Sequence, residues 1–253
     1  MDLHDRRGQQ LADLLHRAAL AASQTWPHRA GPTQLGFGGI GPPAAPEHRV
    51  VDMAGRAGAL ACGLVARDDG KVIFLFGTSS VGKTSTAEVL QPLLDEPYLI
   101  LGLDTFLQAW PDRWGNGGES ESDGFWYERP ADGTLVIRCS EQGERLLAGA
   151  RAAVRGLVTS GVNVIYDEMP IHRGVLPAWR EALADLEVFW VRMVGDQFEL
   201  DAREAARRKP RYHGLSRGHA PLVDDAAWAD LNLDATHLTP QARAAHTVRA
   251  LAP

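Results

Sequence analysis

Gly77-Thr78-Ser79-Ser80-Val81-Gly82-Lys83-Thr84 is a full match to the phosphate-binding pattern G-x-x-x-x-G-K-[ST]. Each constrained position has a chemical reason. The glycines let successive backbone N–H groups curl around a polyphosphate. Lys83 can reach the β- and γ-phosphates of a nucleoside triphosphate, and the Thr84 hydroxyl can ligate Mg²⁺. Thr78, Ser79, Ser80 and Val81 complete the loop, and Ser85 follows directly after it. The flanks are those the pattern needs. Val72 to Phe76 is a short run of β-branched and aromatic residues, which predicts a buried strand. Thr84 to Leu90 reads as the first turns of a helix, whose N-terminus adds partial positive charge to the anion site. An ordinary Gly/Ser-rich turn would not require this order of strand, loop and helix.

Two further acidic positions fall at strand ends. Tyr98 to Leu103 reads as a second strand ending at Asp104, and Val162 to Tyr166 as a third ending at Asp167-Glu168. Glu187 to Val194 predicts a fourth strand and Asp230 to Asp234 a short fifth. Between them, a short helix starts at Thr105, Glu141 to Ser160 carries one apolar stripe, and Pro177 to Ala184 and Gln197 to Arg208 read as helices. A last helix, Pro240 to Leu251, has Thr239 as N-cap and Pro240 at its first position. Strands alternating with helices predict a five-stranded, mostly parallel α/β sheet covered on both faces. Pro111 to Gly133 has no period, and Arg211 to Ala220 reads as a basic loop.

In such sheets ligands sit beyond the carboxyl ends of the strands. There Asp104 can take a proton from an acceptor hydroxyl or hold Mg²⁺ through water. Its bland alternative is a cap for the helix starting at Thr105, worth about 1 kcal/mol. Asp167 ends a passable Walker B strand, with metal holding and proton abstraction as rival roles. Arg203 and Arg207 stand four residues apart on the predicted helix 197–208, with Arg208 and Arg211 nearby. Like charges at that spacing repel unless an anion lies between them, and a transferring phosphoryl group is such an anion. The alternative is a solvated face with Glu199–Arg203 and Glu204–Arg208 pairs.

The stretch from Asp104 to Thr134 holds seven carboxylates against Arg113 and Arg129, together with Phe106, Trp110, Trp114, Phe125, Trp126 and Tyr127. Aromatic surface beside carboxylates suits a small acceptor with a flat or cationic part. A solvated loop pinned by its aromatics is the competing explanation.

The whole chain has 253 residues, is 45% hydrophobic and carries a net charge of −6. That balance argues against nucleic acid held by charge. No apolar run approaches the ~18 residues of a membrane-spanning helix, and the N-terminus lacks the order of a signal peptide. Cys62 and Cys139 form no framework, suit a reducing cytoplasm, and read as core residues rather than ligands. Residues 3 to 24 predict an amphipathic helix that needs a partner surface, on this domain or on a second copy in a homo-oligomer. Half of the twenty residues from Pro27 to Pro46 are Pro or Gly. This arm contains Gly36-Phe-Gly38-Gly-Ile-Gly41, a dinucleotide-type pattern discounted because Pro42-Pro43 follows where a helix should start. Residues 48 to 66 are ambiguous. The expected division is an arm over 1–46 and a catalytic domain over 47–253.

Several stretches together resemble the chloramphenicol phosphotransferases. They are the loop Gly77 to Thr84, Glu96-Pro-Tyr-Leu-Ile-Leu-Gly-Leu-Asp104-Thr-Phe, Asn163-Val-Ile-Tyr-Asp167-Glu168, Phe189-Trp-Val-Arg, Arg203-Glu-Ala-Ala-Arg207 and Leu233-Asp-Ala-Thr-His. The likeness runs from about Lys71 to the C-terminus in order and spacing. It implies a P-loop kinase fold that uses ATP and Mg²⁺ to phosphorylate a hydroxyl of a small molecule, an antibiotic for that family. It also implies Asp104 as general base and Arg203 and Arg207 on the lid side. Glu168 departs from the pattern, which typically has a second aspartate there. A nucleoside or sugar kinase shares the mechanism, and a nucleotide-dependent switch protein without an acceptor is the reading from another class.

Overall fold

The computed structural model describes residues 68–111, 114, 123–207, 212–223 and 228–252. The expected N-terminal helix, the Pro/Gly arm with its glycine pattern, residues 48 to 66, Cys62, Arg208, Arg211, the boundary at 46/47 and residues 112–113 and 115–122 of the acidic loop lie outside the described residues.

Five parallel strands form the main sheet: β1 (Lys71–Gly77), β2 (Tyr98–Gly102), β5 (Asn163–Glu168), β6 (Glu187–Val194) and β7 (Leu231–Asp234). Their order is β2-β5-β1-β6-β7, with β1 in the middle. A central strand is covered on both faces, so it reads as a continuous apolar run. The period of two still sorts its side chains. Val72, Phe74 and Phe76 enter one core, and Ile73 and Leu75 enter the other.

On the first face Phe74 stacks on Tyr166 and meets Trp179 edge-on. That face is covered by α3 (Glu141–Thr159) and α4 (Val175–Ala182), whose buried residues include Leu147, Val154 and Trp179. Ser140 caps α3 by accepting from the amides of Gln142 and Gly143, and Glu141 and Glu144 favour its positive end. The second face is covered by α1 (Lys83–Leu90) and α7 (Pro240–Leu251) through Ala87, Leu90 and Ala244. Thr239 caps α7 as the sequence predicts.

Three local expectations change. The supposed featureless stretch supplies a strand, β3 (Phe125–Glu128), which pairs antiparallel with β4 (Val136–Cys139). Phe125, Leu135 and Ile137 tuck into the first core, which is why the hairpin forms despite its short strands. Within the supposed basic loop, Leu215–His219 forms a helical turn, α6, whose His219 ring accepts from the Ile137 amide at 3.3 Å. The short helix after β2, α2, spans Leu103–Ala109 with Gly102 as N-cap. Asp104 therefore sits inside the first turn and does not cap it.

Candidate active site

The loop after β1 is held in a shape that few sequences tolerate. Gly82 has φ +96° and Ser80 has φ +63°, the one non-glycine residue at positive φ among the described residues. Such strain persists where surrounding structure over-determines it, and it concentrates at ligand sites. Thr78, Ser79 and Ser80 are all buried. The loop ends at α1, whose first turn contains no acidic residue to offset the positive end of the helix.

Lys83 folds back over this loop. Its Nζ donates to the Thr78 carbonyl at 2.9 Å and lies 3.6 Å from Asp167 Oδ1. The other oxygen of Asp167 accepts from Thr84 Oγ1 at 2.5 Å. The sheet accounts for this meeting. Asp167 is in register with Leu75 of β1 and Gly102 of β2, so it stands between the two strand ends that carry the phosphate loop and Asp104. Gly102 has to be small there, because an added Cβ would lie 2.9 Å from the Asp167 carbonyl oxygen. Thr84 and Asp167 thus bring two hard oxygen donors to one point beside the loop, a donor set that fits Mg²⁺.

Ser80, Gly82, Lys83, Thr84, Glu88 and Arg207 line a cleft of about 270 Å³. Arg207 is the C-terminal cap of α5 (Gln197–Ala206), with extended backbone angles. It therefore leaves the helical row, and the expected pairing of Arg203 with Arg207 on one helix face does not occur. Arg203 turns instead to the carbonyls of Ala235 and Thr236 after β7, at 3.0 and 2.5 Å. Nor does Glu204 serve a solvated face. It is buried, and its two oxygens accept from the amides of Gly214 and Ser216. Asp104 is exposed, two residues past the end of β2, and is not among the residues lining this cleft.

A larger cleft of about 460 Å³ lies by the hairpin and α5, lined in part by Arg129, Asp132, Asp201 and Arg217. It contains none of the phosphate-loop residues, and its charges are engaged locally: Arg217 with Asp201, and Arg129 with the His213 carbonyl.

Two residues take positions that sequence reading did not give them. Glu168 points away from the cleft into the first core, fully buried, with Oε2 accepting from Trp179 Nε1 at 2.7 Å. Burial, the largest influence, pushes its carboxyl up to about 7. Arg243 of α7 lies beneath the phosphate loop, 4% exposed. Ala244, Ala245 and Thr247 are buried beside it. Cys139 is half-buried rather than core. Its thiol donates to Glu144, and burial together with that carboxylate pushes it up to about 12, so it remains a thiol.

A parallel sheet with a phosphate loop at its central strand, and a Thr–Asp pair closing that loop, defines a P-loop kinase fold. Solved structures of this fold superpose on the chain. A sugar kinase from Janibacter sp. HTCC2649 gives a TM-score of 0.50 at 13% identity, covering 72% of this chain and 94% of the other. The Mycobacterium tuberculosis APS kinase CysC, solved in complex with AMPPNP and APS, gives 0.51 at 16%, covering 73% and 99%. Within this fold the chain belongs to the chloramphenicol phosphotransferase-like family, whose model matches residues 70–252. It is 30% identical over 179 residues to a Mycobacterium tuberculosis H37Rv protein named "Putative O-phosphotransferase Rv2636", covering 66% of this chain and 76% of that one. Among the described residues no helix is long and apolar enough to cross a membrane.

Proposed function

We propose that the protein transfers the γ-phosphoryl group of ATP to a hydroxyl of a small molecule, with a hydroxylated antibiotic of the chloramphenicol kind as the first candidate. The observation that carries this reading is the convergence of Lys83, Thr84 and Asp167 beside a strained phosphate loop, with Arg207 in the same cleft. The loop amides and the N-terminus of α1 bind the β- and γ-phosphates. Lys83 and Arg207 offset charge on the transferring group, and Arg203 fixes the loop after β7. Thr84 and Asp167 would hold Mg²⁺, which when bound neutralises phosphate charge and orients the triphosphate.

We assign the proton acceptor to Asp104, which follows the end of β2, the edge of such sheets where ligands bind. As its hydroxyl attacks, the acceptor passes its proton to the Asp104 carboxylate. An oxygen–phosphorus bond forms as the bond to the β,γ-bridging oxygen breaks, and ADP leaves. The aromatic residues of α2 and the hairpin, with the acidic segment between them, are the expected acceptor surface. Use of ATP accords with a cytoplasmic location. An assembly of copies through residues 3–24 is a further expectation, to be read by light scattering.

The test is ATP turnover with chloramphenicol, other hydroxylated antibiotics, nucleosides and sugars, read by the mass of the phosphorylated product. Turnover that depends on one acceptor class and vanishes in Lys83→Ala supports the proposal. Acceptor-independent hydrolysis would instead favour a nucleotide switch, and unchanged turnover in Lys83→Ala would refute the kinase mechanism.

A further inference from the structure

Beneath the phosphate loop lies a buried cation, Arg243, with no counter-charge among the described residues. Arg243 donates from Nε to Thr86 Oγ1 at 2.9 Å, from Nη1 to the Leu238 carbonyl at 2.9 Å and from Nη2 to Ser85 Oγ at 3.3 Å. All three acceptors are neutral, and among the described residues no carboxylate lies within ion-pair distance. Burial disfavours the charge, and the nearby Arg203 disfavours it further. Arginine does not shed its proton in proteins, so the charge persists. By contrast, the other buried cation at the loop, Lys83, has Asp167 beside it.

The geometry points to Arg243 as a positioning residue that aims the phosphate loop and lends it charge, an inference that rests on the nucleotide reading above. Because a guanidinium only donates, the Thr86 and Ser85 hydroxyls must accept from it. Each then turns its own hydrogen to the Gly82 carbonyl, at 2.8 and 3.0 Å. That carbonyl also accepts the Thr86 amide at 3.0 Å. The peptide unit bearing the Gly82 carbonyl bears the Lys83 N–H on its opposite side. Anchoring and polarising the one aims and strengthens the other as a donor to phosphate. The guanidinium lies close under Gly82: a Cβ there, already disfavoured by the φ of +96°, would lie 2.7 Å from Nη2. A polyphosphate above the loop is then the anion that offsets the buried charge below it.

The test compares full-length wild type, Arg243→Gln, Arg243→Lys and Thr86→Val by calorimetric titration with MgATP, alongside thermal melts without nucleotide. Arg243→Gln is expected to weaken MgATP binding about tenfold, the scale of one hydrogen bond to a charged group. Arg243→Lys, which keeps the charge, recovers part of that loss. Thr86→Val keeps the arginine and removes one relay hydroxyl, and should weaken binding in the same direction. A purely structural role would lower the melting temperature of Arg243→Gln and leave its MgATP affinity at the wild-type value, which overturns the inference. If Arg243→Gln does not fold, Thr86→Val decides alone: affinity equal to wild type sinks the relay. Wild type that binds no MgATP refutes the nucleotide reading itself, whereas wild-type binding with unaffected variants refutes only the role of Arg243.

Discussion

Thr84 Oγ1 and Asp167 Oδ2 lie 2.5 Å apart, joining the first turn of α1 to the end of β5 across 83 residues of chain. With Lys83 Nζ 3.6 Å from the other carboxylate oxygen, one aspartate serves both the lysine and the threonine of the phosphate loop. Asp167→Asn keeps the shape and removes the charge. It should weaken Mg²⁺-dependent ATP binding by about 10–100-fold. Titrating ATP with and without Mg²⁺ checks this. A variant that loses ATP affinity equally in both conditions would place Asp167 in support of Lys83 alone.

Asp104 gives a sharper forecast because Gly102, not Asp104, caps α2. Asp104→Asn should leave folding and ATP binding near wild type and slow phosphoryl transfer by about 10²–10⁴-fold, the usual range for proton transfer by a positioned side chain. Asp104→Ala should be equally slow without the ~1 kcal/mol loss that removing a true cap brings. Turnover in the Asn variant within about threefold of wild type, well short of the expected loss, would shift the base to Asp167.

Glu168 makes stability depend on pH. Its carboxyl is raised from 4.5 to about 7, so the folded state keeps a proton that the unfolded chain releases. Its contribution is full in acid and is lost as pH rises through that interval, levelling off above it. Glu168→Gln retains an oxygen to accept from Trp179 and cannot ionise. Denaturant unfolding of both proteins should show a shallower fall for the variant between about pH 4.5 and 7. Parallel slopes would mean that Glu168 ionises freely in the fold.

Removing residues 1–46 should leave MgATP affinity within about threefold of the full chain, since every residue named in the cleft follows Lys71. Calorimetry on a chain starting at Glu47 measures it. A folded truncation that fails to bind would make the arm part of the site.

Four strands of the main sheet were legible as largely apolar runs between turn signals, the short β7 (Leu-Asn-Leu-Asp) by alternation and its place in the order of elements, and the phosphate loop because its spacing is chemically constrained. Asp104 and Asp167 followed from being polar residues at strand ends. The hairpin was hidden because Phe125–Glu128 and Val136–Cys139 are each too short to show a period, and what holds them is contact with the first core. The divergence of Arg203 and Arg207 depends on α5 ending at Ala206, two residues short of the end at Arg208 expected from Pro210. Arg243 has no local pattern at all, since its partners Thr86 and Ser85 lie in another helix.

Placing the loop-bearing strand at the centre of the sheet has a consequence for the order of synthesis. Lys71 meets Asn163, 92 residues later, and Arg243 reaches back 157 residues to Thr86. A ribosome releases Val72 to Phe76 long before β5 and β6 exist to cover them, so the nascent chain carries a bare apolar segment that invites chaperone capture. Contacts this distant along the chain also slow folding. The phosphate loop is thus made long before the elements that enclose it, which are complete only when α7 has emerged.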